Sequence, residues 1–193
     1  MKMRGLILAG GKSSRFGTDK ALSSYNGISL LERTIGLLRE AGLEPIIVTR
    51  EGADYAFTET SILRDELPEK GPLGGIYTAL SFLEGVSFMV LTCDMPLLTS
   101  GVLKSLISHH EKGNGVTAFR TKDGRIQPFP GIYEPSIFPV VQEKIFKDEL
   151  SMHGLLESVS RREAVLWEGE QAFFRNVNSQ EDLAVSQSLG LSY

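Results

Sequence analysis

The amino-acid sequence predicts an α/β fold: one three-layer, doubly wound sandwich on a mostly parallel sheet. Three observations predict it. Short apolar, β-branched runs alternate with amphipathic helical runs along the chain, and a strand–helix–strand order favours parallel pairing. The run Ser87-Phe88-Met89-Val90-Leu91-Thr92 is apolar almost throughout, as strands covered on both faces are. Glycines crowd the places where strands pass into helices, at Gly10-Gly11 and again from Gly71 to Gly75. The 193 residues, 41% of them hydrophobic, suit one domain over 1–193 with a sizeable core.

Taken in order, Leu6-Ile7-Leu8-Ala9 is the first strand. Ala21 to Asn26 reads as a short extended segment turned by Gly27. Ser29 suits a helix N-cap, and Leu30, Leu31, Ile35, Leu37 and Leu38 recur at helical spacing until Gly42, a C-terminal cap. Pro45-Ile46-Ile47-Val48-Thr49 is too short and too β-branched for a helix and reads as the second strand. Ser61 to Asp65 is a third, and Gly71-Pro72-Leu73-Gly74-Gly75 reads as a loop before a helix from Ile76 to Leu83. After the strand at Ser87–Thr92, Thr99 or Ser100 caps a helix that reaches His109 and His110. Gly115 to Phe119 is a strand. Arg125 to Tyr133, interrupted by Pro128 and Pro130, reads as an irregular or edge strand. Ser136 to Val159 is helical in two pieces, Phe173 to Asn178 is strand-like, and Ser179-Gln180-Glu181-Asp182 opens a last helix with a capping-box pattern.

Composition narrows the function classes. A net charge of −4, with both signs spread along the chain, argues against a general nucleic-acid or anionic-membrane binder. The one cysteine, Cys93, has no partner for an internal disulfide, so a reducing compartment is expected. No apolar run reaches membrane-spanning length, and the N-terminus lacks the long apolar region of a signal peptide. A cytoplasmic location is therefore expected. His109, His110 and His153 have no metal-ligand spacing and read as surface residues, and Cys93 reads as a packed core residue.

The stretch from Leu6 to Lys20 carries the chemistry. It breaks from a strand into Gly10-Gly11 and continues as a loop with Lys12, Arg15 and Lys20. Backbone N–H groups in a glycine-rich turn, with cations nearby, suit a chain of phosphates. Two familiar phosphate loops are absent, since the sequence contains neither G-x-x-x-x-G-K-[ST] nor G-x-G-x-x-G. Asp94 follows the buried strand at its carboxyl end, where ligands bind in open α/β sheets, and its hard oxygens suit Mg²⁺.

The string L-A-G-G-K-S-S-R-F-G-T-D-K-A-L closely resembles the signature loop of nucleotidyltransferases, and among them of molybdenum cofactor guanylyltransferases. C-D-M-P-L at 93–97 resembles that family's metal motif, and Asn176-Val177-Asn178 resembles its late N-x-N element. The resemblance runs from Leu6 to Leu183 and implies a Rossmann-like nucleotidyltransferase fold. It implies transfer of GMP from GTP to molybdopterin or its molybdenum form, giving the guanine dinucleotide cofactor and pyrophosphate, with Mg²⁺ as cofactor. It places Lys20, Asp94 and Arg15 in catalysis, and Leu8, Ala9, Gly10, Gly11, Lys20, Asp65 and Asp94 on the nucleotide. The resemblance also implies that Asp94 holds the metal and that Asn176 and Asn178 face the pterin, with Gly74, Gly75, Gln127 and Pro128 expected to line the same pocket. One carboxylate accepts both N1–H and N2–H of a guanine edge, which gives Asp65 a role in choosing the base. Guanylyl-type loops resemble L-A-G-G and cytidylyl-type loops L-A-A-G, so Gly10-Gly11 favours GTP over CTP. Related members carry an asparagine after the second strand; here Thr49, shorter, stands at that position. Proteins that deliver or receive a labile cofactor are also expected. The rival readings are a nucleotidyltransferase with another base or acceptor, such as CTP, a sugar phosphate or methylerythritol phosphate, and a nucleotide sensor without turnover.

Overall fold

The computed structural model describes residues 2–9 and 19–188. In chain order these form β1 (Lys2–Leu8), β2 (Ser24–Tyr25), β3 (Ile28–Ser29), α1 (Leu30–Glu40), β4 (Pro45–Thr49), β5 (Ser61–Arg64), α2 (Gly71–Phe82) and β6 (Val86–Thr92). There follow α3 (Ser100–His109), β7 (Val116–Arg120), β8 (Ile126–Tyr133), α4 (Phe138–Phe146), α5 (Met152–Ser158), β9 (Arg162–Leu166) and α6 (Gln180–Ser188). Seven strands make one sheet in the order β5-β4-β1-β6-β8-β7-β9, while β2 and β3 form a small hairpin. Only β8 runs antiparallel to its sheet neighbours. The sheet is mostly parallel and flanked by helices, as the sequence predicts.

Local chemistry explains the elements. At the start of α1, Ser29 Oγ accepts from the Glu32 N–H and the Glu32 carboxylate accepts from the Ser29 N–H. Such a reciprocal cap contributes about 1 kcal/mol. Gly42 adopts φ +80° just past the helix end. Leu6, Ile7, Ile46, Ile47, Met89 and Val90 are buried in adjacent strands at the centre of the sheet. The faces of β1 are set by alternation. A Cβ on Gly5 would press on Leu38 of α1, and a Cβ on Gly75 of α2 would lie 2.7 Å from Leu8. The two helices therefore cover opposite faces, and three layers result.

Several expectations are corrected. Gly71-Pro72-Leu73-Gly74-Gly75 is not a loop but the first turn of α2. Proline suits that turn, where its missing N–H is not needed, and Gly74 is required because a Cβ would lie 2.3 Å from the Leu67 carbonyl oxygen. Of the two readings for 125–133, the irregular strand holds and the edge strand does not: β8 lies between β6 and β7. Its prolines are tolerated because pairing with β7 jumps from Ala118↔Gly131 to Phe119↔Gln127, and residues 128–130 bulge out of the ladder. Phe173 to Asn178 is no strand; Gln171–Phe174 is a 3₁₀ turn. The edge strand β9 is unforeseen because Arg162 and Glu163 hide its apolar alternation. Of the segment 21–26 expected to be extended, Ala21 and Leu22 belong to a 3₁₀ turn, while Ser24–Tyr25 is strand. His110 is no surface residue: its side chain is only 4% exposed, with Nδ1 2.8 Å from Thr117 Oγ1 and Nε2 3.3 Å from buried Glu134. Among the described residues, no helix is long and apolar enough to cross a membrane.

Candidate functional site

The chain leaves β1 for β4 and β5 on one side, then returns to β6 on the other side of β1. The carboxyl ends of β1 and β6 are thus the topological switch point, where open α/β sheets bind ligands. Register Leu8↔Thr92 sets those ends side by side. Ala9 leaves on one and Asp94 on the other.

Asp94 is held from both sides. Its Oδ1 accepts the Thr92 hydroxyl, and its Oδ2 lies 3.2 Å from Lys20 Nζ. The Asp94 carbonyl accepts from the Val177 N–H at 2.8 Å, which ties the segment before α6 to the same strand end. Lys20 Nζ also donates to Asn178 Oδ1 at 3.4 Å. Asn178 is itself fixed by the start of α6, where Asp182 accepts its backbone N–H while Ser179 Oγ caps the Asp182 N–H. The Asn178 N–H, with a smaller contribution from Ser179, holds the Asp182 carboxyl below its ordinary range. Residues 74 to 158 positions apart thereby meet at one ammonium group.

A second cluster supports the first. Asp19 Oδ1 accepts from the Ala21 N–H and so caps the turn that carries Lys20, while its Oδ2 accepts the Tyr55 hydroxyl at 2.6 Å. The Ala9 carbonyl lies 3.2 Å from Thr49 Oγ1 and 3.1 Å from the Tyr55 oxygen. Two hydroxyl protons serve two acceptors, Tyr55 to the carboxylate and Thr49 to the carbonyl. Burial and the Asp19 carboxylate push the Tyr55 phenol up, so it remains a donor. Thr49 thus braces the β1 exit from inside the fold. Burial and the charges of Asp94 and Asp19 also push the Cys93 thiol up, which leaves it un-ionised and packed, as expected from the sequence.

The structure brings Leu8, Ala9, Lys20, Asp94 and Asn178 to one strand end. Gly10, Gly11, Lys12 and Arg15 lie outside the described residues. Asn176 is exposed and has no hydrogen-bond partner among the described residues. Since its segment is not a strand, the alternation argument that paired it with Asn178 does not hold. Asp65 stands past β5, beyond β4 from the Lys20–Asp94 pair; its Oδ1 accepts the Leu67 N–H and the Thr78 hydroxyl. Gln127 and Pro128 open β8 at the same end of the sheet as Thr92. Sequence reasoning missed Asp19, Tyr55 and Thr92. Thr92 was accessible by alternation with Asp94, and Asp19 by its place before Lys20. Tyr55 carried no local signal.

A lysine–aspartate pair at the switch point of a mostly parallel sheet is placed to meet a charged ligand, and the family match puts the chain among the nucleotidyltransferases. The chain belongs to the MobA-like NTP transferase domain family, whose pattern matches residues 5–164. Similar proteins include one from Flavobacterium johnsoniae, 35% identical over 92% of each chain. Another, from Carboxydothermus hydrogenoformans, is 38% identical over 72% of this chain and 69% of its own. Each is named "Probable molybdenum cofactor guanylyltransferase". The crystal structure of molybdopterin-guanine dinucleotide biosynthesis protein A from Archaeoglobus fulgidus superposes with TM-score 0.74 over 98% of each chain at 24% identity, which shows a shared fold.

Proposed function

We propose that this enzyme transfers GMP from GTP to molybdopterin or its molybdenum form, releasing pyrophosphate and yielding the guanine dinucleotide cofactor. The observation that carries the reading is the convergence of Lys20 Nζ, Asp94 and Asn178 at the β1–β6 switch point. The names of the relatives supply the base and acceptor.

In this reading a phosphate oxygen of the pterin attacks the α-phosphorus of GTP, an O–P bond forms, and the bond to pyrophosphate breaks in line. A phosphate monoester has a second pKa of about 6, so its attacking oxygen is already deprotonated at neutral pH. No side-chain base is needed, and an un-ionised Cys93 agrees with the absence of a covalent intermediate. Lys20 neutralises charge that grows on the triphosphate, assisted by Arg15. The backbone of Leu8, Ala9, Gly10 and Gly11 meets the nucleotide, and the Asp65 carboxylate selects guanine with its second oxygen. Asn178, with Asn176, meets the pterin end. Asp94 suits Mg²⁺: it offers one hard carboxylate, and no group of three His, Cys, Asp or Glu gathers among the described residues. The remaining ligands would be phosphate oxygens and water, a usual arrangement for this ion. Bound there, Mg²⁺ would supply charge neutralisation at the phosphates and hold the triphosphate in register. A cytoplasmic setting and proteins that hand over the labile cofactor complete the reading.

The test incubates the protein with Mg²⁺, molybdopterin and either GTP or CTP, and follows pyrophosphate. GTP-dependent release with formation of the dinucleotide is the expected result. Release with CTP alone would reassign the base, and no release with any nucleotide would reject the transferase reading.

A further inference from the structure

We infer that Tyr55 is a positioning residue of the active site, which locks the lysine-bearing turn to the exit of β1 through Asp19. The inference rests on the proposed role of Lys20 at the triphosphate. Tyr55 sits in the connector between β4 and β5, far in sequence from both partners, and is 1% exposed. Its own backbone is held: the Tyr55 carbonyl accepts from the Thr58 N–H and hydroxyl, and Asp54 caps the Ala56 N–H. Arg64 of β5 braces the connector further by donating to the carbonyls of Arg50 and Ala53.

From that fixed base the hydroxyl reaches Asp19 Oδ2 at 2.6 Å and comes within 3.1 Å of the Ala9 carbonyl. Ala9 and Asp19 are the two ends of the glycine-rich segment. One buried hydroxyl thus spans its neck. The other Asp19 oxygen caps the turn Lys20–Leu22, so the chain of contacts runs from Tyr55 through Asp19 to Lys20 and on to Asp94. Displacing a catalytic charge by about 1 Å is enough to cost a large factor in rate. A carboxylate that loses a buried hydroxyl donor loses one of its stronger hydrogen bonds.

Tyr55→Phe keeps the ring and removes the hydroxyl, and Asp19→Asn weakens the same contact from the other side. In the nucleotide-free protein, the Ala21 amide is expected to exchange about tenfold faster in Tyr55→Phe, while core amides such as Ile47 and Val90 are unchanged. In turnover, each single variant is expected to lose about tenfold in kcat/KM for GTP, with the KM for the pterin unaltered. Because both act on one contact, the double variant loses no more than the worse single one. Losses that multiply, a Tyr55→Phe enzyme indistinguishable from wild type, or unchanged Ala21 exchange would each overturn the inference. If the wild-type protein turns over no nucleotide, the functional reading falls, and the exchange measurement still decides whether Tyr55 holds the turn.

Discussion

Replacing Lys20 by alanine is the perturbation whose size is best set by the structure. Its ammonium lies 3.2 Å from Asp94 Oδ2, and the two side chains are only 17% and 21% exposed. At that separation and an effective dielectric constant of about 20, two unit charges attract by about 5 kcal/mol before desolvation is subtracted. Without the ammonium, the triphosphate loses one of the positive groups that offset its charge beside Asp94. The net loss of one charged hydrogen bond is about 1.5–3 kcal/mol, and removal of one preorganised electrostatic group from a transition state costs about 10²–10³ in rate. Lys20→Ala is therefore expected to lower kcat/KM for GTP by about 10²–10³-fold, and Lys20→Arg by less. The cost to folding is that of one charged hydrogen bond in a part-buried pair, about 1.5–3 kcal/mol, or several degrees in Tm for a chain of this size. The assay is pyrophosphate release at saturating acceptor with GTP varied, alongside calorimetric GTP binding. A kcat/KM within threefold of wild type and an unaltered GTP affinity would refute the role of Lys20.

Asp94→Asn, nearly isosteric, is expected to keep the fold by circular dichroism and to abolish Mg²⁺-dependent turnover; near-normal turnover would remove Asp94 from the mechanism. Asp65→Asn keeps an oxygen for the Leu67 N–H but turns a donor toward a guanine edge. The preference for GTP over CTP should fall about 10–100-fold, and an equal loss for both nucleotides would sink base recognition. Gly75→Ala places a Cβ 2.7 Å from the Leu8 side-chain end, which should cost about 1–3 kcal/mol and several degrees in a thermal melt. His110 is buried, and desolvation holds its pKa below the ordinary value, against the pull of Glu134. Below about pH 6.5 the unfolded chain then binds more protons than the folded one, so stability falls as pH falls through that range. Urea midpoints at pH 7, 6 and 5 should show this slope in wild type and a flatter one in His110→Gln; equal slopes would place the titration elsewhere.

Much of this protein is written in short-range pattern. Apolar runs at strand length, the Ser29–Glu32 cap and Gly42 mark the first strand–helix–strand unit, because burial and capping are local requirements. Asp94 was legible for the same reason, as a carboxylate at the end of a run too apolar for anything but a central strand. Pairing partners are not local. β8 entered the middle of the sheet despite two prolines because its bulge lifts residues 128–130 out of the ladder, and no window of sequence contains that register. The glycines of 71–75 read as a loop until the Leu67 carbonyl and Leu8 stand against them.

The sequence by itself determined the α/β class, the carboxylate at the central strand end and the family resemblance of its cation-rich loop. Only the tertiary structure decided that Lys20 meets both Asp94 and Asn178, that Asp65 lies beyond β4 from them, and that Tyr55 joins Ala9 to Asp19. The physical reason is distance along the chain. Propensity and patterning act within a few residues, whereas a hydroxyl that bridges positions 36 and 46 residues away is set by how strands order themselves in the sheet.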